Sequence, residues 1–439
     1  MIGQPASGEP LVRLPDGTVK QVSPLTGTVV WTVPGRGRRA HAVPDQQRVA
    51  VDAAEHDRLC EFCSARYLDT PPEKSRLVLT SDGPQVLEHL PAPRLGESVA
   101  ELRRVPNLYE ILSVEYWRAN HGYQPSPELL GRATAYTADP LGRSHVLDML
   151  GRRAAATGLS GVWATEPEVE RLAQAVDLFA GSHDVVVARR HLVDGARYAD
   201  ELAGAGTLTP DEHERYLAFT VDAMQGLYRA QPFARYVAVF QNWLRAAGAS
   251  FDHLHKQLVA IDEFGPQTER ELARLAAEPD VYTTAILDHA AAHRLVVAEN
   301  EYAIAVAGVG HRYPALEVYS RSTHHLPWEH TAAEVRGFSD LLHGLHAATG
   351  VDVPTNEEWH YRPPSAAEPM PWHVVLKLRV STLAGFEGGT KINVNTIDPY
   401  TLRDRTVAAL RILREQGRVA APAIGDECSH DLGVLHYTD

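Results

Sequence analysis

The sequence predicts an α+β protein made of two similar halves, and three observations carry that expectation. Short runs rich in β-branched and aromatic residues, such as YVAVF at 236–240 and KQLVAI at 256–261, alternate with stretches of helical spacing. The order strand, strand with histidine, helix, strand recurs in the second half through EYAIAVAGVG, LEVYSRSTHHL, a helix over about 331–349 and PWHVVLKLRV. At 439 residues the chain is too long for one ordinary core, so we expect a division into 1–265 and 266–439.

Composition narrows the function classes. With 44% hydrophobic and 22% charged residues the chain is globular, and a formal charge of −14 argues against a nucleic-acid surface. Any phosphate ligand must be met by local basic clusters. No run of about 18 apolar residues and no basic-then-apolar leader at Met1 is present, so we expect no membrane partner and a cytoplasmic location. Two of the three cysteines form Cys60-Glu-Phe-Cys63 and the third, Cys428, is remote, which is not a disulfide framework.

Residues 1–22 form a polar lead. A strand at Thr28–Val33 then runs into GRGRR, where Arg36 and Arg39 belong either to a solvated loop or to a phosphate-binding one. In CEFCSARYLDTPPE the two cysteines are a redox pair or half of a metal site; a redox pair wants a βαβ context that the flanking sequence lacks, and zinc needs two more ligands. Asn107 opens a strand in VPNLYEILSVEY, and about 118–180 reads as a helical insertion. The next strand, HDVVVARRH, runs from His183 to His191, and Thr209-Pro210 introduces an amphipathic helix, Asp211–Ala230. That helix leads to FQNWLRAAGASFDHLHKQLVAID, which turns at Gly248, Ala249 and Ser250 and then places His253, His255 and Gln257 at period two, on one face of a strand. A charged helix at Gln267–Ala277, carrying Glu271, follows.

Phe240, Asn242, Gly248, Ser250, His253, His255 and Gln257 reproduce the pattern F-x-N-x(5)-G-x-S-x-x-H-x-H-x-Q, by which the chain resembles the galactose-1-phosphate uridylyltransferase branch of the histidine-triad superfamily. Leu254 stands where that family usually has proline, which loosens the backbone without removing a reacting group. The resemblance implies two histidine-triad-like halves, each an antiparallel sheet with flanking helices, the first carrying the nucleotidyl-histidine motif and the second the acceptor pocket. It implies His255 as nucleophile, with Gln257 and Ser250 beside it. Arg36 and Arg39 would hold nucleotide phosphates, and Asn107 would lie near the ribose, with Asn242 and Gly248 completing that side. One structural zinc per chain would sit on Cys60, Cys63, His191 and His253, with His183 competing for the place of His191. For a second metal site Glu271 and His360 match two ligands and His373 is kept, but Val375 and Lys377 stand where histidines are usual, so no second metal is expected. Glu387 matches a carboxylate that binds sugar hydroxyls; Phe386 replaces a tyrosine, and Ser381 a lysine, for which Lys391 is a candidate substitute.

The implied chemistry is nucleotidyl transfer between a nucleoside diphosphate sugar and a sugar phosphate through a covalent nucleotidyl-histidine. Triad hydrolases of the superfamily have a third histidine where Gln257 stands. A glutamine can only hydrogen-bond phosphoryl oxygens, so a transferase or phosphorylase is expected before a hydrolase. A zinc-stapled nucleotide-binding protein without turnover is the alternative from another class, and a homodimer is compatible with the sequence.

Overall fold

The computed structural model describes residues 9–35, 48–381, 384–429, 433 and 435–438. Among them the strands are β1 (Leu11–Arg13), β2 (Val19–Val22), β3 (Val29–Thr32), β4 (Ser75–Thr80), β5 (Gly83–Glu88), β6 (Leu102–Pro106), β7 (His183–Ala188) and β8 (Tyr236–Trp243). They continue as β9 (His255–Ile261), β10 (Val296–Glu299), β11 (Ala303–Ala307), β12 (Ala315–Ser320), β13 (Thr355–His360), β14 (His373–Leu378), β15 (Ile392–Asn395) and β16 (Ala423–Ile424).

The expected α+β class is what the structure has, with one difference. The two halves do not keep separate sheets; their strands merge into one 12-stranded sheet, ordered β16-β10-β11-β12-β14-β13-β8-β9-β7-β6-β4-β5. The junction is the antiparallel pair β8–β13, with Asn242 opposite Asn356 and Phe240 opposite Glu358. Outward from it the strands run β9, β7, β6, β4 on one side and β14, β12, β11, β10 on the other. In each half the chain therefore lays down its strands in the same spatial order, and joining them replaces two free edges by hydrogen bonds. A second, four-stranded sheet pairs β15 in parallel with β3, bringing residues 392–395 back to the N-terminal strands.

Strand alternation gives this sheet two different faces. Gln241, Lys256 and Glu357 point to one face, which is covered by the helices Pro210–Ala230 and Ala332–Thr349. The first of these begins with a capping box on Thr209, as its Thr-Pro-Asp-Glu sequence requires. His213 on that helix meets Ser339 on the other at 2.7 Å. The opposite face carries His255 and Gln257, with Val185 and Phe240 directly across from Gln257. The expected helical insertion consists of helices from Val114 to Ala180, the longest Pro140–Ala156, with a small core of their own around Val146, Met149 and Leu178.

Candidate functional site

The turn between β8 and β9 sets the site. Leu244 takes φ 65°, a single 3-10 turn follows at Arg245–Ala247, and Gly248 reverses the chain at φ 94°, a conformation side-chain-bearing residues rarely adopt. A strained non-glycine residue such as Leu244 persists where its surroundings over-determine it. Here they come from the second half: Asn356 donates from Nδ2 to Oδ1 of Asn242 (2.7 Å) and to the carbonyl of Ala247 (2.8 Å), while Arg379 donates to Oδ1 of Asn356 at 2.6 Å. These two residues were not read from the sequence. A cavity of about 440 Å³ opens beside them, lined by Phe240, Asn242, Glu358 and His360 as well.

Beyond the turn the sequence placed His253 and His255 on one strand, but β9 starts only at His255, and His253 occupies the bend before it. That frees the His253 ring to turn toward the cysteines. Its Nδ1 lies 3.5 Å from Sγ of Cys60 and 3.8 Å from Sγ of Cys63; the two sulfurs are 3.8 Å apart, and Nδ1 of His191 is 3.6 Å from Cys63. A tetrahedral zinc, with bonds of about 2.3 Å to sulfur and about 2.0 Å to nitrogen, spaces its ligand atoms by about 3.3–3.8 Å. The donor set fits that ion. Nε2 of His253 donates to the Ala188 carbonyl at 2.7 Å, so the lone pair of Nδ1 faces the sulfurs, which is how a ligating imidazole is held. The hydrogen bond given by Cys60 holds Cys63 far below the ordinary thiol range, and the same bond raises Cys60. His183, the alternative fourth ligand, is not part of this cluster.

His255 is buried, with Phe62 edge-on at 5.2 Å between ring centroids. Its Nδ1 lies 2.7 Å from the carbonyl oxygen of His253. A carbonyl only accepts, so Nδ1 carries the proton and Nε2 keeps its lone pair. Burial lowers the pKa of His255 to about 4, which leaves the imidazole neutral near pH 7. Two positions along, Oε1 of Gln257 lies 3.0 Å from Nε2 of His183, and Nδ2 of Asn107 is 3.1 Å from that same nitrogen. His255, Gln257, Asn107 and Asn242 thus share one face, with Phe62, Val105, Val185 and Val187 forming a small apolar patch beside them.

The other expected residues fall elsewhere. Arg36 and Arg39 lie outside the described residues. Ser250 is exposed at the end of the turn. Phe386 lies against Trp31 of the small sheet, 6.3 Å between centroids, and Glu387 accepts from the backbone N–H of Ala384 at 3.0 Å. Lys377 pairs with Glu358 at 2.5 Å, and Lys391 ends a short helix at φ 60°. For the second metal position the resemblance implied matches at Glu271 and His360, with His373 kept, and no metal was expected. In the structure His373 joins them, stacked on His360 at 5.0 Å, and the donor atoms of all three lie within 4.8 Å of one another. Burial raises Glu271 to about 7.

A family model described as Domain of unknown function (DUF4921) matches residues 14–437. ADP-glucose phosphorylase of Arabidopsis thaliana is 28% identical over 177 residues, covering 37% of this chain and 49% of that protein, so the match spans about half of the curated relative. The crystal structure of an Arabidopsis thaliana ADP-glucose phosphorylase with bound ADP-glucose superposes with a TM-score of 0.56 at 18% identity, over 89% of this chain and 97% of that one. A galactose-1-phosphate-uridylyltransferase-like protein of Arabidopsis thaliana gives 0.54 at 17%, over 88% and 97%. The chain shares the fold of these two structures.

Proposed function

The chain belongs to the DUF4921 family, and from that premise we propose that this member is a nucleotidyltransferase that moves the nucleotidyl group of a nucleoside diphosphate sugar to a phosphate acceptor through His255. The observation that carries the reading is the 2.7 Å hydrogen bond from Nδ1 of His255 to the His253 carbonyl, which leaves a neutral Nε2 lone pair on the sheet face that His255 shares with Gln257. In the first step Nε2 attacks the α-phosphorus; a P–N bond forms as the P–O bond to the sugar phosphate breaks, and the sugar phosphate leaves with the electron pair. In the second step an oxygen of the acceptor phosphate attacks the same phosphorus, and the P–N pair returns to His255. Gln257 donates a hydrogen bond to a phosphoryl oxygen and supplies no proton to water, which favours an adduct that waits for a phosphate.

Zinc on Cys60, Cys63, His191 and His253 would be structural, ordering the bend that holds His255. Inorganic phosphate is the favoured acceptor, a phosphorylase reaction, because Ser381 and Phe386 depart from the sugar-phosphate pattern and the curated relative is named a phosphorylase. A sugar 1-phosphate is the second reading, supported by Glu387 at the position matching the family's sugar-binding carboxylate. Incubating the protein with a panel of nucleoside diphosphate sugars without acceptor, followed by intact-mass measurement, tests the proposal. A gain of one nucleoside monophosphate is expected, discharged by phosphate. Saturable binding without any adduct would leave a binding protein.

A further inference from the structure

His183 takes no part in the cysteine–histidine cluster, yet it is 2% exposed and polar on both sides. It opens β7 and pairs with Val259, which puts its ring in the same row as Gln257. Nδ1 of His183 accepts the backbone N–H of Ile111 at 3.3 Å. A neutral imidazole that accepts at Nδ1 has its one proton on Nε2, and burial lowers the pKa of His183, which keeps the ring neutral. That Nε2 faces two amides at once: Oε1 of Gln257 at 3.0 Å and Nδ2 of Asn107 at 3.1 Å. The orientation of Asn107 is fixed from its other side, where Oδ1 accepts the backbone N–H of Tyr109 at 2.9 Å. The single proton therefore goes to Gln257, and the NH2 groups of Gln257 and Asn107 are both left to meet a ligand.

We propose that His183 is a positioning residue for the transfer, orienting the Gln257 amide so that its NH2 is presented to the phosphoryl group. This rests on the proposed role of His255. In the same arrangement the Tyr109 N–H orients Asn107, whose NH2 is offered to an acceptor on the nucleoside side.

The test is a double-mutant cycle on the rate of nucleotidyl labelling in a single turnover, using the intact protein and the donor that labels it. His183→Phe keeps a buried ring and removes both nitrogens, and Gln257→Ala removes the amide. Each is expected to slow labelling, His183→Phe by on the order of 100-fold, the loss typical of a misplaced catalytic group. Because one residue acts through the other, the double variant should label no more slowly than Gln257→Ala alone. Losses that multiply in the double variant would overturn the proposal. His183→Gln, which keeps an N–H donor at this position, should label within several-fold of the parent; a loss as deep as that of His183→Phe would also overturn it. A parent protein that never labels defeats the proposed function itself, whereas labelling with multiplying losses defeats only the role of His183.

Discussion

The carbonyl oxygen of His253 accepts the Nδ1 proton of His255 at 2.7 Å, while the ring of His253 turns its own Nδ1 toward Cys60 and Cys63. One residue thus joins the cysteine cluster to the tautomer of the histidine two positions on. If the cluster loses its order, His253 shifts and the lone pair of His255 is no longer held in place.

The first consequence concerns metal. Elemental analysis is expected to find about one zinc per chain bound at the cluster, and Cys60→Ser with Cys63→Ser should abolish it. The same double variant should melt at a lower temperature, since structural zinc binding is also folding free energy. Zinc content unchanged by the two substitutions would disprove the assignment.

Gln257→His should turn the proposed transfer into a leaky hydrolysis. A histidine there can pass a proton, so water competes with phosphate. The adduct should still form but decay in buffer without acceptor, measured by intact mass over time. An adduct as durable as the parent's would mean that Gln257 does not protect it.

On the helix-covered face, Lys256 and Glu357 form a fully buried ion pair, with His346 on the second carboxylate oxygen at 2.7 Å and Gln241 on the ammonium at 3.2 Å. Burial alone would raise Glu357, but Lys256 and His346 outweigh it and hold the carboxylate well below its usual range. A depressed carboxylate stabilises the fold fully above its unfolded pKa of about 4.3 and loses that contribution as pH falls toward the folded value. Stability should therefore decline below about pH 4. Lys256→Met should cost about 3–5 kcal/mol in denaturant unfolding by stranding a buried charge. Adding Glu357→Gln should restore much of it; a double variant no better than the single one would show that the pair is not the cause.

The turn offers a test of the second half's contribution. Asn356→Ala removes the bonds to Asn242 and Ala247, and should cost about 1–3 kcal/mol together with a slower labelling rate. A variant that labels at the parent rate would show that the turn keeps its shape without Asn356.

Much of this was legible in the sequence because local rules and tertiary needs agree. Thr209-Pro210-Asp-Glu starts a helix, and β-branched runs form β7, β11 and β14. The central strand β13 was not legible. Its sequence, TNEEWH, carries two carboxylates and no apolar run; mid-sheet, Glu357 is met by Lys256 and hydrogen-bonded to His346, and Glu358 by Lys377. The merging of the two halves was hidden with it. At the site, the motif located His255 and Gln257, but the position of His183 beside Gln257 depends on the pairing of β7 with β9, separated by some seventy residues in the chain. Likewise it is the register of β13 with β14 that sets His373 beside His360.

The central claim is a covalent nucleotidyl group on His255, and the most direct measurement is peptide mapping of the labelled protein after incubation with a nucleoside diphosphate sugar alone. An acid-labile phosphoramidate on His255, absent from His255→Ala together with all turnover, is the predicted result. A stable adduct on another residue, or full turnover in His255→Ala, would contradict the account.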